Sequence, residues 1–230
     1  MLALPTLKRL KGKMDKLFQR RELNAVLNFA TQAHAGQKRK YTDEDYIIHP
    51  MRVAFAGIYF GDRTTTKPNA VAAALLHDII EDTAVTFEEL RLFLSKIFFD
   101  GEDVAEIMHL VMSLTDIYTK DNFPNLNRKE RKEKELFRME KTFNRRLFLI
   151  KLIDMIDNQT SINKYDPEFA KVFNVEKNNF IEVFIDKRGK ERRVVLYYIE
   201  CIKHAFAQVN SMPIHEHAFK KEDCWGNLIC

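Results

Sequence analysis

The sequence predicts an all-α fold, and three observations support this class. Long stretches carry apolar residues at helical spacing, and no segment shows the alternation of apolar and polar residues that is typical of a half-buried strand. The chain has only 7 Gly and 6 Pro in 230 residues, which favours helices joined by short connections. Hydrophobic residues make up 46% of the composition, so a compact core can form.

The same composition bounds the organisation of the chain. We expect a basic N-terminal arm at 1–21, a helical domain at 22–209 and a C-terminal tail at 210–230. The net charge of +4 is modest and the arm lacks interleaved aromatic residues, so nucleic acid is not an expected partner. No apolar run reaches the roughly 20 residues that span a bilayer, and the N-terminus has no apolar signal core. We therefore expect a cytoplasmic protein without a membrane partner, and the three Cys residues are compatible with a reducing compartment.

The first element that carries chemistry begins near Pro50. The segment HAGQKRK at 34–40 is followed by YIIHP, in which the proline suits the first turn of a new helix. His49 is therefore predicted to lie at a helix entrance. His34 is predicted to be a helix-end or supporting group rather than a metal ligand.

The next element is an apolar helix at 70–76 that ends in a polar cluster. The run AVAAALL contains strong helix formers and should be buried on most sides, with His77 and Asp78 near its end. Glu81 lies one turn beyond His77, and Asp82 lies one turn beyond Asp78. Each pair shares a face if the helix continues that far. A divalent cation would compensate the buried carboxylates, and the alternative is a helix cap followed by solvated acids.

A charged segment at 127–135 follows a loop that contains Pro124. The segment, NRKERKEKE, mixes basic residues with Glu at helical spacing, which is typical of an exposed face with weak ion pairs. Alternatively, its basic members line an entrance for phosphate groups. The sequence leaves both interpretations open.

Another apolar helical run at 149–158 carries three polar residues. Lys151, Asp154 and Asn158 recur at intervals of three and four, so they share one face of the helix. Together with the earlier segments, this run completes a set of two imidazoles and two carboxylates drawn from separate helices. Such a set suits zinc, manganese or iron. The four candidate metal ligands are His49, His77, Asp78 and Asp154.

Two more helices are predicted towards the C-terminus. Asp166 is a good N-cap and Pro167 fits the first helical position, with apolar spacing that runs to about Ile185. A further amphipathic helix is expected from about Glu191 to Val209. Both should pack against the body of the domain.

The motifs AHAGQKRK, YIIHP, ALLHDIIEDT and IKLIDMIDN together resemble a known family. Over roughly residues 25 to 185 the chain is similar to the hydrolase domain of the RelA/SpoT group within the HD-domain metal-dependent phosphohydrolases. The small single-domain alarmone hydrolases are the nearest in pattern. The resemblance implies a compact helical HD-domain fold and an enzyme that removes the 3′-pyrophosphate from guanosine alarmones such as ppGpp, usually with manganese.

The resemblance also implies roles for individual residues. The four candidate ligands would hold the metal, and Glu81 and Asp82 would orient or deprotonate the attacking water. Asn158 would contact the nucleotide, and Arg39 and Lys40 would approach its base or phosphates. For the basic pair the alternative is an ordinary solvated turn, and for Asn158 it is a buried hydrogen bond within the helix. The loop 118–126 would be a lid.

The chain also departs from the family pattern at several positions. The stretch 41–45 reads YTDED where the family commonly has Gly and Pro, so its three acids are expected to reduce the affinity for a polyanion. Met155 and Asp157 differ from the residues of the long bifunctional enzymes. Their substrate detail is therefore not directly transferable.

Three classes of function follow from these matches and departures. The leading hypothesis is a hydrolase that converts ppGpp or pppGpp to GDP or GTP and pyrophosphate. The second keeps the metal site but changes the substrate to an adenosine alarmone, a 2′-phosphorylated dinucleotide or another phosphorylated nucleotide. The third is a nucleotide sensor or partner-binding domain with little or no turnover. The sequence leaves the oligomeric state open, a homo-oligomer included.

Overall fold

The computed structural model describes residues 12, 15–60, 64–142, 144–188 and 192–209. Within these ranges the elements are helices, and the described residues contain no β-strand apart from one isolated bridge between Lys38 and Asp45. The predicted all-α class is confirmed. None of the helices in these ranges is both long and apolar enough to cross a bilayer.

The helices are numbered here in chain order, and the bounds are as follows: α1 Arg21–Ala33, α2 Ile48–Phe60, α3 Pro68–Leu76, α4 Ile79–Asp82, α5 Phe87–Ile97, α6 Gly101–Leu114, α7 Arg128–Lys141, α8 Arg145–Tyr165, α9 Pro167–Arg188 and α10 Arg192–Val209.

Helix α3 forms the centre of the domain. Pro68 occupies its first turn, and every residue from 70 to 76 is buried. The helix packs against α1, α2 and α6, because its small Ala side chains allow neighbours to approach from several sides. The prediction of a helix that is buried on most sides is confirmed, and it fixes His77 at the end of a rigid element.

Helices α2 and α8 cross the same core. α2 packs against α3, α8 and α10, while α8 packs against α2, α9 and α10. Asn144 caps the start of α8 by accepting a hydrogen bond from the backbone N–H of Leu147 at 2.7 Å. Two acids of α8, Asp154 and Asp157, are buried among apolar residues. Buried carboxylates need partners, and these two face α2.

The two C-terminal helices follow the prediction closely. Pro167 is the first residue of α9, and Asp166 accepts a hydrogen bond from the backbone N–H of Phe169 at 3.1 Å. α9 extends three residues past the expected end, to Arg188, and α10 coincides with the predicted amphipathic helix. The tail at 210–230 and all of the arm at 1–21 except residues 12 and 15–21 lie outside the described residues, so the predicted domain boundaries remain predictions.

Candidate metal centre

Two buried histidines meet at the junction of α2, α3 and α8. His49 is the second residue of α2 and His77 follows the last residue of α3; both are at most 1% exposed. Their rings lie edge to face with centroids 5.1 Å apart. The apolar helix ends at Leu76, so His77 and Asp78 lie at its end as predicted, and they form a turn before the single turn of α4. The condition for shared faces, a helix that continues to Asp82, is therefore not met.

Each histidine has its Nδ1 atom engaged by an acceptor. His77 Nδ1 lies 2.8 Å from the carbonyl oxygen of Ala74, which can only accept, so this nitrogen carries the proton. His49 Nδ1 lies 2.6 Å from Asp157 Oδ2, a second acceptor. In the neutral ring the lone pair of each histidine is therefore on Nε2, the atom that faces the centre.

The two Nε2 atoms face two carboxylates. His49 Nε2 lies 3.1 Å from Asp154 Oδ1 and 3.4 Å from Asp78 Oδ2, and the corresponding distances from His77 Nε2 are 3.6 and 3.0 Å. Both Nε2 atoms are buried without a geometrically acceptable hydrogen-bond partner. Ligand atoms that share one cation at about 2.0–2.2 Å lie roughly 3–3.5 Å apart, so this spacing fits a common metal ion.

The electrostatics of the cluster also call for positive charge. Burial lowers the pKa of His49, but its hydrogen bonds with Asp154, Asp157 and Asp78 outweigh burial and raise the pKa to about 9. Burial raises the pKa of Asp154, yet Lys151 and the two histidines hold it well below its usual range. Protons or a divalent cation can supply the positive charge. His49, His77 and Asp78 each offer a ligand atom within 4.8 Å of the others, so the donor set fits a metal.

Two residues that were not predicted hold His49 in place. Asp157 accepts from His49 and also from Arg52, whose Nε donates to Asp157 Oδ1 at 2.9 Å. The other end of Arg52 donates to Glu44 at 3.1 Å. Asp157 stood out in the sequence only as a difference from the long bifunctional enzymes. Its position three residues after Asp154 was the available signal, since that spacing places both carboxylates near the same neighbouring helix.

A third unpredicted residue, Tyr46, connects the metal centre to α4. Its hydroxyl lies 2.9 Å from Asp78 Oδ2 and also contacts Asp82 Oδ2. The Tyr46 ring stacks on His34 with centroids 4.7 Å apart, and His34 Nδ1 contacts Gln37 at 2.8 Å. His34 therefore lies behind the centre, in a supporting position.

Glu81 points towards the loop that follows α6. Its Oε2 accepts a hydrogen bond from the backbone N–H of Asp116 at 3.0 Å. Loss of hydration among protein atoms, together with the nearby carboxylate of Asp116, raises the pKa of Glu81 to about 7. The side chain nevertheless stays open to the adjacent cavity. Lys151 Nζ lies 3.1 Å from Asp154 Oδ2, and the attraction of nearby acids outweighs burial and raises its pKa, so it stays charged.

Of the three residues predicted to bind substrate, two lie next to the metal centre and one lies apart on an exposed turn. Arg39 Nη2 donates to Asn158 Oδ1 at 2.8 Å, and Asn158 Nδ2 donates to Asp154 Oδ1 at 2.7 Å, so these two adjoin the centre. Lys40 is exposed and contacts the hydroxyl of the adjacent Tyr41. Of the three, only Asn158 lines the cavity described next. The acids at 44 and 45 pair with Arg52 and Lys38 and do not line that cavity.

A cavity of about 860 Å³ opens beside the centre, between α4, α7, α8 and α9. One wall holds the acids of the centre, and the opposite wall, from α7 and α9, carries basic, apolar and some acidic side chains. Its volume lies within the range of small-molecule sites. The opposite wall includes Arg128, Lys129, Lys132, Lys171, Leu136, Met139, Phe173 and Phe180. Basic members of the charged segment 127–135 thus line this cavity together with Glu133 and Glu135, and the prediction that they admit phosphate groups stays a prediction.

Comparison with known proteins agrees with the geometry. A family model described as HD domain matches residues 26–179, about two thirds of the chain. The chain belongs to the HD domain family. The predicted resemblance is therefore confirmed, and this HD domain contains all four candidate ligands.

Three similar proteins are named as hydrolases of guanosine alarmones. The guanosine-3′,5′-bis(diphosphate) 3′-pyrophosphohydrolase MESH1 of Xenopus tropicalis is 35% identical over 144 residues, which cover 61% of this chain and 69% of that protein. The guanosine-3′,5′-bis(diphosphate) 3′-pyrophosphohydrolase of Borreliella burgdorferi is 33% identical over 64% of this chain, and the bifunctional (p)ppGpp synthase/hydrolase SpoT of Escherichia coli is 32% identical over 65%. This HD domain spans only about a fifth of those two bacterial proteins.

A solved structure shares the fold. It is described as a metazoan ortholog of SpoT that hydrolyzes ppGpp, and it superposes with a TM-score of 0.59 at 24% identity. The match covers 84% of this chain and 97% of that one. At this identity the likeness concerns the helical architecture.

Proposed function

We propose that this HD domain hydrolyses the 3′-pyrophosphate of guanosine alarmones. The products would be GDP from ppGpp and GTP from pppGpp, each with pyrophosphate. The observation that carries the proposal is the pair of buried, unpartnered Nε2 atoms facing two carboxylates at one wall of a nucleotide-sized cavity. The names of the relatives support the choice of substrate.

We propose that His49, His77, Asp78 and Asp154 hold a divalent metal, and that Mn²⁺ is the ion. When bound, such an ion acts as a Lewis acid on a phosphoryl oxygen and lowers the pKa of water. The protein contributes orientation, because Asp157 and the Ala74 carbonyl fix the two imidazoles with Nε2 towards the centre.

Glu81 is our candidate for the group that takes the proton of the attacking water. A base is most effective when its pKa lies near the working pH, and the pKa of Glu81 is raised to about 7. One carboxylate oxygen is held by the Asp116 N–H, which leaves the other free to face water in the cavity. Asp82 is engaged by Tyr46, so we assign it to orienting the water and the surrounding groups.

The opposite wall of the cavity would bind the rest of the nucleotide. Lys129, Lys132 and Lys171 offset phosphate charge, while Phe173 and Phe180 offer apolar surface to the base. Asn158 adjoins Asp154 and would contact the substrate next to the reacting phosphate, with Arg39 behind it. Lys40 would reach only the outer part of the nucleotide from its exposed turn.

One observation favours the second candidate, a 2′-phosphorylated dinucleotide. The cavity is lined by eight acids and five bases, so without a metal it carries an excess of negative charge. A substrate with fewer phosphates would meet less repulsion there. The acids are Asp78, Glu81, Asp82, Asp116, Glu133, Glu135, Asp154 and Glu176, and the bases are Arg128, Lys129, Lys132, Lys151 and Lys171.

A substrate panel tests both candidates. Protein loaded with manganese is incubated with ppGpp, pppGpp, the corresponding adenosine alarmones and a 2′-phosphorylated dinucleotide, and released phosphate and pyrophosphate are measured. We expect pyrophosphate from the guanosine alarmones, and a chelator should abolish its release. Phosphate release from the dinucleotide alone would select the second candidate. No release from any nucleotide would reject both and leave a binding domain.

A further inference from the structure

One residue of the charged segment 127–135 does not behave as part of an exposed face. Glu135 is only 3% exposed. By contrast, Lys129 and Glu133 form an exposed pair 3.9 Å apart on the same helix. A buried carboxylate requires compensation by hydrogen bonds and charge, so the partners of Glu135 are informative.

Glu135 holds the chain that leaves α6. Its Oε1 accepts hydrogen bonds from the backbone N–H groups of Ile117 and Tyr118, the latter at 2.5 Å. Its Oε2 accepts from Arg138 Nε at 2.8 Å. Three donors therefore satisfy one carboxylate, and hydrogen bonds to an ionised group are stronger than neutral ones.

Arg138 binds the same stretch of chain from its other side. Its Nη2 donates to the carbonyl oxygen of Thr115 at 2.7 Å and to that of Ser113 at 3.2 Å. The Glu135–Arg138 pair thus engages donors and acceptors of 113–118, which no secondary structure would otherwise satisfy. Both residues come from α7, so the helix and the loop are tied together.

The clamped stretch contains the group that holds Glu81. The backbone N–H of Asp116 donates to Glu81 Oε2 at 3.0 Å, and the Asp116 carboxylate contacts Lys132 of α7. The Asp116 N–H belongs to the same planar peptide group as the Thr115 carbonyl, which Arg138 binds, and Glu135 binds the N–H of the next peptide group, that of Ile117. A continuous chain of contacts therefore leads from Glu135 to the Glu81 carboxylate.

We propose that Glu135 and Arg138 are positioning residues for Glu81, acting through the backbone of Thr115 to Tyr118. The pair fixes the Asp116 N–H, which in turn fixes one oxygen of Glu81 and aims the other into the cavity. This inference rests on the proposed role of Glu81 as the base. A displacement of about 1 Å in a reacting group is enough to cost a large factor in rate.

Hydrogen exchange tests the clamp without any assay of activity. In Glu135→Gln we expect the amides of 115–118 to exchange at least about tenfold faster, because Gln loses the charge and one acceptor oxygen. The amides of α3 and α8 should exchange as in the wild type. Glu88→Gln is the control, since it removes a charge from an exposed pair with Arg91 on α5. Unchanged exchange at 115–118 would overturn the proposal.

A double-mutant cycle tests the link to Glu81. We expect Glu135→Gln to lower kcat by about tenfold, with KM and manganese affinity within about twofold of the wild type. In a Glu81→Asp background the shorter side chain no longer reaches the Asp116 N–H, so Glu135→Gln should then cost less than about twofold. An equal loss in both backgrounds, or a parallel loss of metal affinity, would contradict positioning. If the wild type turns over no nucleotide, the proposed function fails and hydrogen exchange alone decides whether the clamp exists.

Discussion

The two walls of the cavity are built in different ways. The wall with Asp78 and Asp154 is backed by α2, α3 and α8, which cross in the apolar core, and the two histidines behind it are almost fully buried. The opposite wall comes from α7 and α9, and Val172 and Val175 of α9 are about half exposed. Core helices hold the first wall rigidly, whereas the exposed part of the second wall borders solvent and can change without loss of the fold. We therefore propose that the first wall determines the chemistry and the second determines which substrate binds.

The largest effect is expected at the ligand wall. Asp154→Ala removes one of the two carboxylates that face the histidine Nε2 atoms. The metal content should therefore fall sharply, and the activity should fall by at least about 1000-fold. Metal analysis of the purified variant together with pyrophosphate release would check this. Glu88→Ala on α5 is the matched control. Full metal content in Asp154→Ala would remove Asp154 from the ligand set.

A smaller effect is expected at Asp157, which contacts the candidate ligand His49. Asp157→Asn keeps the shape of the side chain but weakens its bond with His49 Nδ1, so metal affinity should fall by about 10–100-fold. Competition with a chelating dye would measure the affinity. Asp45→Asn is the control, because Asp45 pairs with Lys38 at 2.7 Å on an exposed turn. If both variants bound metal like the wild type, the orientation of His49 would not depend on Asp157.

The substrate wall should respond more weakly and in a different parameter. Lys171→Gln removes one exposed cation from the cavity, so KM should rise by about 2–5-fold with kcat and metal affinity unchanged, in line with a partly screened charge. The difference should shrink as salt is raised. Steady-state kinetics at two salt concentrations would show this. A fall in kcat instead would mean that this wall also takes part in the chemical step.

The smallest effect concerns stability and pH. The pKa of Glu81 in the folded chain, about 7, lies above its ordinary value, so folding becomes less favourable as pH rises through the interval between the two values. Glu81→Gln lacks this penalty. In protein treated with a chelator, the variant should therefore gain stability over the wild type as pH rises towards 8. Because the side chain is open to water in the cavity, the gain should be at most about 1 kcal/mol, a few degrees in Tm. If the difference in Tm between the variant and the wild type stayed constant as pH rose towards 8, the raised pKa of Glu81 would be refuted.

The four candidate ligands stay candidates, but the sequence could single them out because they adjoin distinctive apolar runs. His77 and Asp78 follow 70–76, and Asp154 interrupts a second such run. Helix α9 was equally predictable, since Asp166 and Pro167 are local signals that act over a few residues. Local chemistry and helical periodicity were sufficient in these places.

Other features depend on contacts between distant segments. The alternation of charge in 127–135 is the same whether its residues face solvent or another segment. The burial of Glu135 could therefore not be predicted from the sequence. The bond between Asp157 and His49 joins two helices that are far apart in sequence. The sequence placed His77 near the end of its helix but left open whether the helix continued to Asp82, because the bond between the His77 ring and the Ala74 carbonyl forms only in the folded chain.

The central claim is that a metal centre and Glu81 together hydrolyse a guanosine alarmone. Its most direct test is the rate of GDP and pyrophosphate formation from ppGpp by manganese-loaded wild type and Glu81→Gln under single-turnover conditions. We expect both proteins to bind the same amount of manganese and the variant to be slower by about 100-fold or more. Equal rates, or no products from the wild type, would contradict the claim.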